Sequence, residues 1–167
     1  VIVQKNISSK LKDIIEQKSE NIIVGNPLDP KTNLGPLCTS KQIEIIENTI
    51  NKSVSQGAEI IFGGKKIEKE GNYFEPTLIY CPHRDIETLK IEMFGPVISL
   101  IEFDSEDEAI DLANDSKYAL GSGLFTKDLS RAHRVSKEIK AGICWINTYR
   151  VISPIAAFGG FNQSGYA

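Results

Sequence analysis

The sequence predicts an α/β fold: a mostly parallel sheet with flanking helices. Two observations carry this. Residues 97–103, 120–125 and 143–147 are apolar runs of strand length, and the two segments between them have helical spacing of apolar residues. The connections are short, as in strand–helix–strand units with parallel strands and right-handed crossovers. Ahead of these lie two more helix-like stretches, a hairpin-like region and the junction Glu92-Met93-Phe94-Gly95-Pro96-Val97. Residues 1–167 are expected to form a single domain, because a chain of this size can bury about 70% of its unfolded surface.

Residues 1–3 are apolar and β-branched, which suits a strand. Ile7, Leu11, Ile14 and Ile15 then share one face of a helix running to about Asn21, with Lys10, Lys12, Asp13, Glu16 and Lys18 mainly opposite. From Gly25 to Pro36 turn formers dominate, and a surface connection is expected. Thr39 and Gln42 have capping-box spacing. The helix they start should bury Ile43, Ile46, Ile50 and Val54 and end at Gly57. Residues 59–62 and 73–80 read as antiparallel strands joined by a charged turn, and Pro76 would need an edge or a bulge. After the strand at 97–103, Ser105 and Glu108 form a second capping box. Ala109, Ile110, Leu112 and Ala113 are the buried side of that helix, which ends near Asp115. Leu129, Ala132, Val135, Ser136 and Ile139 line the last helix, closed by Gly142.

A content of 41% hydrophobic and 25% charged residues is ordinary for a globular domain. A net charge of -3 gives no footprint for nucleic acid or an anionic membrane. No apolar run approaches the roughly 20 residues of a membrane span. Cys38, Cys81 and Cys144 are widely spaced and include no CxxC pair, so reduced thiols and a cytoplasmic location are expected. His83 and His133 are isolated, and no metal site is expected. The chain opens at Val1 and its one methionine is Met93, so it is expected to be a piece of a longer protein.

Two readings of the junction compete. In one, Phe94 is core, Gly95-Pro96 is a turn and Glu92 is a solvated charge. In the other, Glu92 and Phe94 grip a ligand at the mouth of a sheet. The seven residues Ile91 to Val97 alone favour the first, since ligand sites are few per protein. In open parallel sheets ligands bind beyond the carboxyl ends of strands, which draws attention to Thr126-Lys127 and to residues 147–158. The glycine-rich segment 157–165 reads by itself as a flexible tail. It is no phosphate loop, because Gly159-Gly160 lacks a following Lys-Ser/Thr.

Taken together, these motifs resemble the aldehyde dehydrogenase superfamily, in the C-terminal part of its catalytic domain. The resemblance rests on Gly25-Asn26-Pro27-Leu28-Asp29, Leu34-Gly35-Pro36-Leu37, Phe74-Glu75-Pro76-Thr77 and Glu92-Met93-Phe94-Gly95-Pro96-Val97. It continues through Tyr118-Ala119-Leu120-Gly121, Ala141-Gly142 with Trp145-Ile146-Asn147, and Phe158-Gly159-Gly160-Phe161 with Ser164-Gly165. Each motif is weak alone; their order and spacing together are specific. The resemblance implies oxidation of an aldehyde to an acid with NAD or NADP. A cysteine thiolate attacks the aldehyde, hydride passes to the nicotinamide, and a glutamate activates water to hydrolyse the thioester. A thiolate suits this because it is reactive near neutral pH.

The resemblance also implies site residues. Glu92 matches the glutamate that accepts hydrogen bonds from the nicotinamide ribose hydroxyls, a task suited to an ionised two-oxygen acceptor. Phe94 matches the aromatic residue beside the nicotinamide. Phe158 matches an aromatic wall of the aldehyde pocket, and Ile152 is placed in the same pocket. Met93 stands where isoleucine or leucine is more usual, and Asn162 where lysine is. The nucleophile, general base, oxyanion-hole asparagine and cofactor domain are expected upstream of Val1, so this piece alone is expected to be inactive. The family's C-terminal β-arm is expected beyond Ala167, and a homo-oligomer is expected of the parent. Other readings are a non-catalytic interaction module, or a same-fold acyl-phosphate or acyl-CoA reductase.

Overall fold

The structure, a computed structural model, describes residues 1–166. The backbone groups into two compact units, Val1–Phe103 and Asp104–Ala167. The first holds β1 (Ile2–Gln4), α1 (Lys5–Ser19), α2 (Ser40–Ser55), β2 (Glu59–Phe62), β3 (Thr77–Cys81), a short 3-10 helix (Glu87–Leu89) and β4 (Val97–Phe103). The second holds α3 (Glu106–Asn114), β5 (Tyr118–Ala119), β6 (Gly121–Leu124), α4 (Leu129–Glu138), β7 (Ile143–Ile146) and β8 (Phe161–Asn162).

In the first unit the strand order is β1-β4-β3-β2. β4 runs parallel to β1 and β3, and β2 runs antiparallel to β3, so the sheet is mostly parallel as expected. Both faces of β3 are covered. Leu78 joins Val3 and Leu100 in a buried cluster against which Leu11 and Ile15 of α1 pack. Ile79 and Cys81, on alternate positions, are also fully buried. Each such aliphatic side chain contributes about 1.5–3 kcal/mol through burial.

Several expected details change. In α1 the buried line is Ser8, Leu11 and Ile15, whereas Ile7 and Ile14 are exposed. Residues 7 and 14 sit about 100° behind 8 and 15 on the helix, outside the contact with the sheet. In α2, Ser53 is buried in place of Val54, which is exposed. Thr39 is the N-cap by position but makes no side-chain cap: the Gln42 amide bonds to Thr39 O at 3.2 Å, and the Gln42 side chain donates to Met93 O rather than back to the Thr39 amide. Gly57 ends α2 as expected. Its φ of +101° permits a bond from its amide to Val54 O at 3.0 Å and from the Ala58 amide to Ser53 O at 2.9 Å. Pro76 needs no bulge within its own strand, because β3 starts only at Thr77; the bulge lies in β2, between Ile60 and Phe62.

In the second unit, β6 and β7 pair in parallel with α4 between them in sequence, the expected crossover unit. The expectation that β4 would share one sheet with them is corrected. β4 uses both its hydrogen-bonding edges on β1 and β3, and β6 pairs with β7 alone. Ser105 caps α3 as expected, its hydroxyl accepting the Glu108 amide at 3.2 Å. Asp128 caps α4 through the Arg131 amide at 3.0 Å. Leu129, expected in the buried stripe, is 72% exposed. It follows the cap directly, and helical side chains lean toward the N-terminus, so it projects past the first turn. Ala132 is the residue of that stripe that is fully inside.

The glycine-rich segment is not a loose tail. β8 pairs antiparallel with β5, and the Ser164 hydroxyl accepts the Ala119 amide at 3.0 Å. Gly160 is buried, and the Gln163 amide donates to Lys117 O at 3.0 Å. No helix of the described residues is long and apolar enough to cross a membrane.

Candidate functional site

The junction 92–97 is a turn set against the first unit's core. Met93 is buried, and its carbonyl accepts a bond from the Gln42 side chain of α2. A side chain on Gly95 would collide with Ile46 Cδ1, so a larger residue there would force the buried Ile46 side chain to move. Pro96 O accepts the Thr77 amide at 2.8 Å, and the Val97 amide bonds to Gly95 O at 2.8 Å. The turn is therefore tied to α2 and to the start of β3 before β4 begins.

These anchors leave two side chains outside. Glu92 is exposed. Phe94 is 74% exposed and has φ +48°, a left-handed conformation that costs a non-glycine residue about 1–2 kcal/mol. An exposed aromatic in a strained backbone conformation does not serve packing. The reading of Phe94 as core is thus corrected, and strain of this kind points toward function. The turn lies at the amino end of β4, not beyond a carboxyl end as open-sheet geometry suggests.

The other pair of sequence-derived residues lies in the second unit, after β7. Ile152 is 48% exposed and Phe158 is 43% exposed. The loop that carries them starts at Asn147, whose φ is +55°. Its side chain accepts the Thr126 amide at 2.8 Å and donates to Thr126 O at 2.9 Å. Asn147 thereby continues the β6–β7 ladder past the last paired residues, Leu124 and Ile146. The Trp145 indole N–H donates to Val151 O at 2.7 Å. Glu92 and Phe94 are thus together on one turn, and Ile152 and Phe158 on one loop of the other unit.

The cysteines differ in setting. Cys38 is exposed, Cys144 is half-buried within β7 rather than fully inside, and Cys81 is buried at the end of β3. Burial pushes the Cys81 thiol up, away from the reactive thiolate, and its Sγ lies 3.5 Å from Thr88 Oγ1. No group of three or more His, Cys, Asp and Glu side chains able to hold a metal occurs among the described residues. A cleft of about 380 Å³ on α3 and α4 is lined by Glu106, Asp107, Ile110, Asp111, Arg134 and Glu138, none of them a predicted site residue.

Sequence reasoning missed Gln42, Ile46, Asn147 and Trp145 as supports. Gln42 was visible only as half of a capping box. Asn147 carried a usable signal: a polar residue with left-handed tolerance directly after an apolar strand.

Known proteins define the class to which this arrangement belongs. The model of the aldehyde dehydrogenase family matches residues 1–167. A (Z)-2-((N-methylformamido)methylene)-5-hydroxybutyrolactone dehydrogenase of Acinetobacter baylyi is 42% identical over 99% of this chain and 34% of its own length. A betaine aldehyde dehydrogenase of Mesorhizobium japonicum is 40% identical, covering 99% of this chain and 35% of the relative. Among solved structures, betaine aldehyde dehydrogenase of Staphylococcus aureus in complex with NAD+ superposes with a TM-score of 0.93 at 35% identity, over 98% of this chain and 33% of that one. The NAD+ complex of an aldehyde dehydrogenase from Bacillus cereus gives 0.94 at 34% identity, over 99% of this chain and 34% of that one. The chain belongs to the aldehyde dehydrogenase family. It spans about a third of the length of the curated relatives it matches.

Proposed function

We propose that the chain is part of an NAD(P)-dependent aldehyde dehydrogenase, an oxidoreductase that converts an aldehyde to a carboxylic acid through a cysteine thioester. Glu92 and Phe94 receive the nicotinamide riboside end of the cofactor, and Ile152 and Phe158 line the aldehyde pocket. The carrying observation is the turn that buries Met93 and sets the backbone of Gly95 against Ile46 while Glu92 and Phe94 stay exposed. A carboxylate on a fixed turn offers two acceptor oxygens to the paired hydroxyls of a ribose, and an exposed ring two residues on offers a flat apolar surface. The residues present therefore fit the group. When bound, NAD supplies the hydride acceptor. The NAD+ complexes of similar structures favour NAD, and the betaine aldehyde dehydrogenases among the relatives favour a small aldehyde as substrate. The parent is expected to be a homo-oligomer.

The 167 residues alone do not turn over in this reading. Cys81 is buried with a raised pKa and Cys144 lies within a strand, so neither is placed as a nucleophile. Cys38 is exposed but stands in the first unit's loop ahead of α2. The nucleophile comes from a part of the enzyme outside these residues. Incubating the purified chain with NAD and short aldehydes is expected to give no NADH above blank. Turnover abolished by substituting Cys38, Cys81 or Cys144 would overturn the reading.

A further inference from the structure

We infer that Trp145 and Tyr149 are positioning residues for the aldehyde side of the site, forming an aromatic clamp that fixes the backbone beside Ile152. This rests on the proposed role of Ile152 in the aldehyde pocket. The clamp is built from three observations. The Trp145 indole N–H donates to the carbonyl of Val151, the residue before Ile152, at 2.7 Å. The rings of Trp145 and Tyr149 meet edge to face, with centroids 5.1 Å apart and planes at 71°. Both rings lie against β6 where that strand has no side chains: a Cβ on Gly121 would sit 3.0 Å from Trp145 Cζ3, and one on Gly123 would sit 3.0 Å from Tyr149 Cδ2.

The glycines of β6 have no other evident use. Glycine weakens a strand interior, and two in a four-residue strand are a cost unless a neighbour needs the space. Here they let two aromatic rings, set edge to face, come up against the β6 backbone. The loop those rings hold is otherwise unsupported by regular structure and contains two non-glycine residues with left-handed φ, Asn147 at +55° and Arg150 at +62°. Asn147 ties the start of the loop to Thr126, and Trp145 ties its end at Val151. Residues 147–151 are thus bound at both ends, and Ile152 leaves from the second tie. A pocket wall carried on a loop discriminates between substrates only if the loop is held, since a small misplacement forfeits binding made in the transition state.

The test uses the full-length enzyme with Trp145→Phe, which keeps an aromatic ring and removes the donor. The KM for the aldehyde is expected to rise about fivefold, the change that one neutral hydrogen bond of ordinary strength supports. The KM for NAD should stay as in wild type while the aldehyde KM moves, a split that a merely structural role would not produce. Gly123→Ala, which crowds Tyr149 without touching the indole, should shift the aldehyde KM in the same direction by less. Limited trypsin digestion gives a readout independent of activity: cleavage after Arg150 should quicken in Trp145→Phe. Unchanged aldehyde KM in both variants, with unchanged cleavage at Arg150, overturns the inference. Wild-type enzyme that oxidises no aldehyde, while Trp145→Phe still quickens cleavage, sinks the proposed activity and leaves the clamp standing.

Discussion

The turn at 92–97 and the loop at 147–158 hold their exposed residues by different means. The turn rests on a core. Ile46 lies under Gly95, Met93 is buried, and Ile79 and Leu100 behind it are fully enclosed. The loop rests on side-chain bridges. The second unit buries little that is large: its core residues are Ala119 and Ala132, and α3 has no fully buried residue. Asn147, Trp145 and Ser164 supply what apolar packing supplies in the first unit. A packed turn tolerates conservative surface change but not a lost core group. A bridged loop does the reverse, because each bridge is one or two hydrogen bonds of modest net worth.

This contrast can be broken from either side. The largest expected effect is on the packed side: Leu78→Ala should lower unfolding free energy by about 3 kcal/mol, since Leu78 is fully buried in the α1 cluster. A denaturant titration checks it, and a loss below about 1 kcal/mol would mean that the first unit is not held by its apolar core. Next comes the bridged side. Asn147→Ala removes both bonds to Thr126 and should cost about 1–2 kcal/mol, with hydrogen exchange quickening first at Thr126.

A smaller effect concerns pH. The Glu102 carboxyl is held below the ordinary range, first by the Ser8 hydroxyl and then by the Lys12 ammonium and the Tyr80 hydroxyl. The Ser8 hydroxyl is buried and finds no partner of ordinary hydrogen-bond geometry among the described residues. Lys12 Nζ lies 3.4 Å from Glu102 and 3.8 Å from the Tyr80 ring centroid. A carboxyl whose folded pKa is depressed stabilises the fold above its unfolded value and loses that contribution as pH falls through the folded value. Wild type should therefore lose more stability than Glu102→Gln on acidification below about pH 4.5. Parallel curves for the two proteins would refute the contribution. Smaller still, Phe94→Gly should stabilise the chain by about 0.5 kcal/mol, the relieved left-handed strain less the entropy of glycine. Destabilisation would show that the ring packs after all.

The fold was largely legible, and the reasons are local. The caps and ends of α2 and α3 follow from Gly57 and from Ser105 with Glu108, which act within one turn of chain. The parallel β6–β7 unit follows from apolar runs around an amphipathic helix. What periodicity could not give was partnership. It could not tell that β4 would spend both edges on β1 and β3, nor which of Ile14 and Ile15 faces the sheet, because neighbouring helical positions differ by only 100°. Glu92 and Phe94 stood out only through the family resemblance. By themselves they are a charge and a ring beside a Gly-Pro turn. Their exposure becomes meaningful when Gly95 is seen against Ile46, a contact 49 residues apart in sequence that no local pattern encodes.

The central claim is that Glu92 is held outward to accept the ribose hydroxyls of the cofactor. Calorimetric titration of NAD into full-length enzyme, wild type against Glu92→Gln, tests it most directly. Loss of a charged acceptor should weaken the Kd about tenfold with the thermal midpoint unchanged. An unchanged Kd in a folded Glu92→Gln enzyme would contradict the claim and return Glu92 to a solvated charge beside a turn.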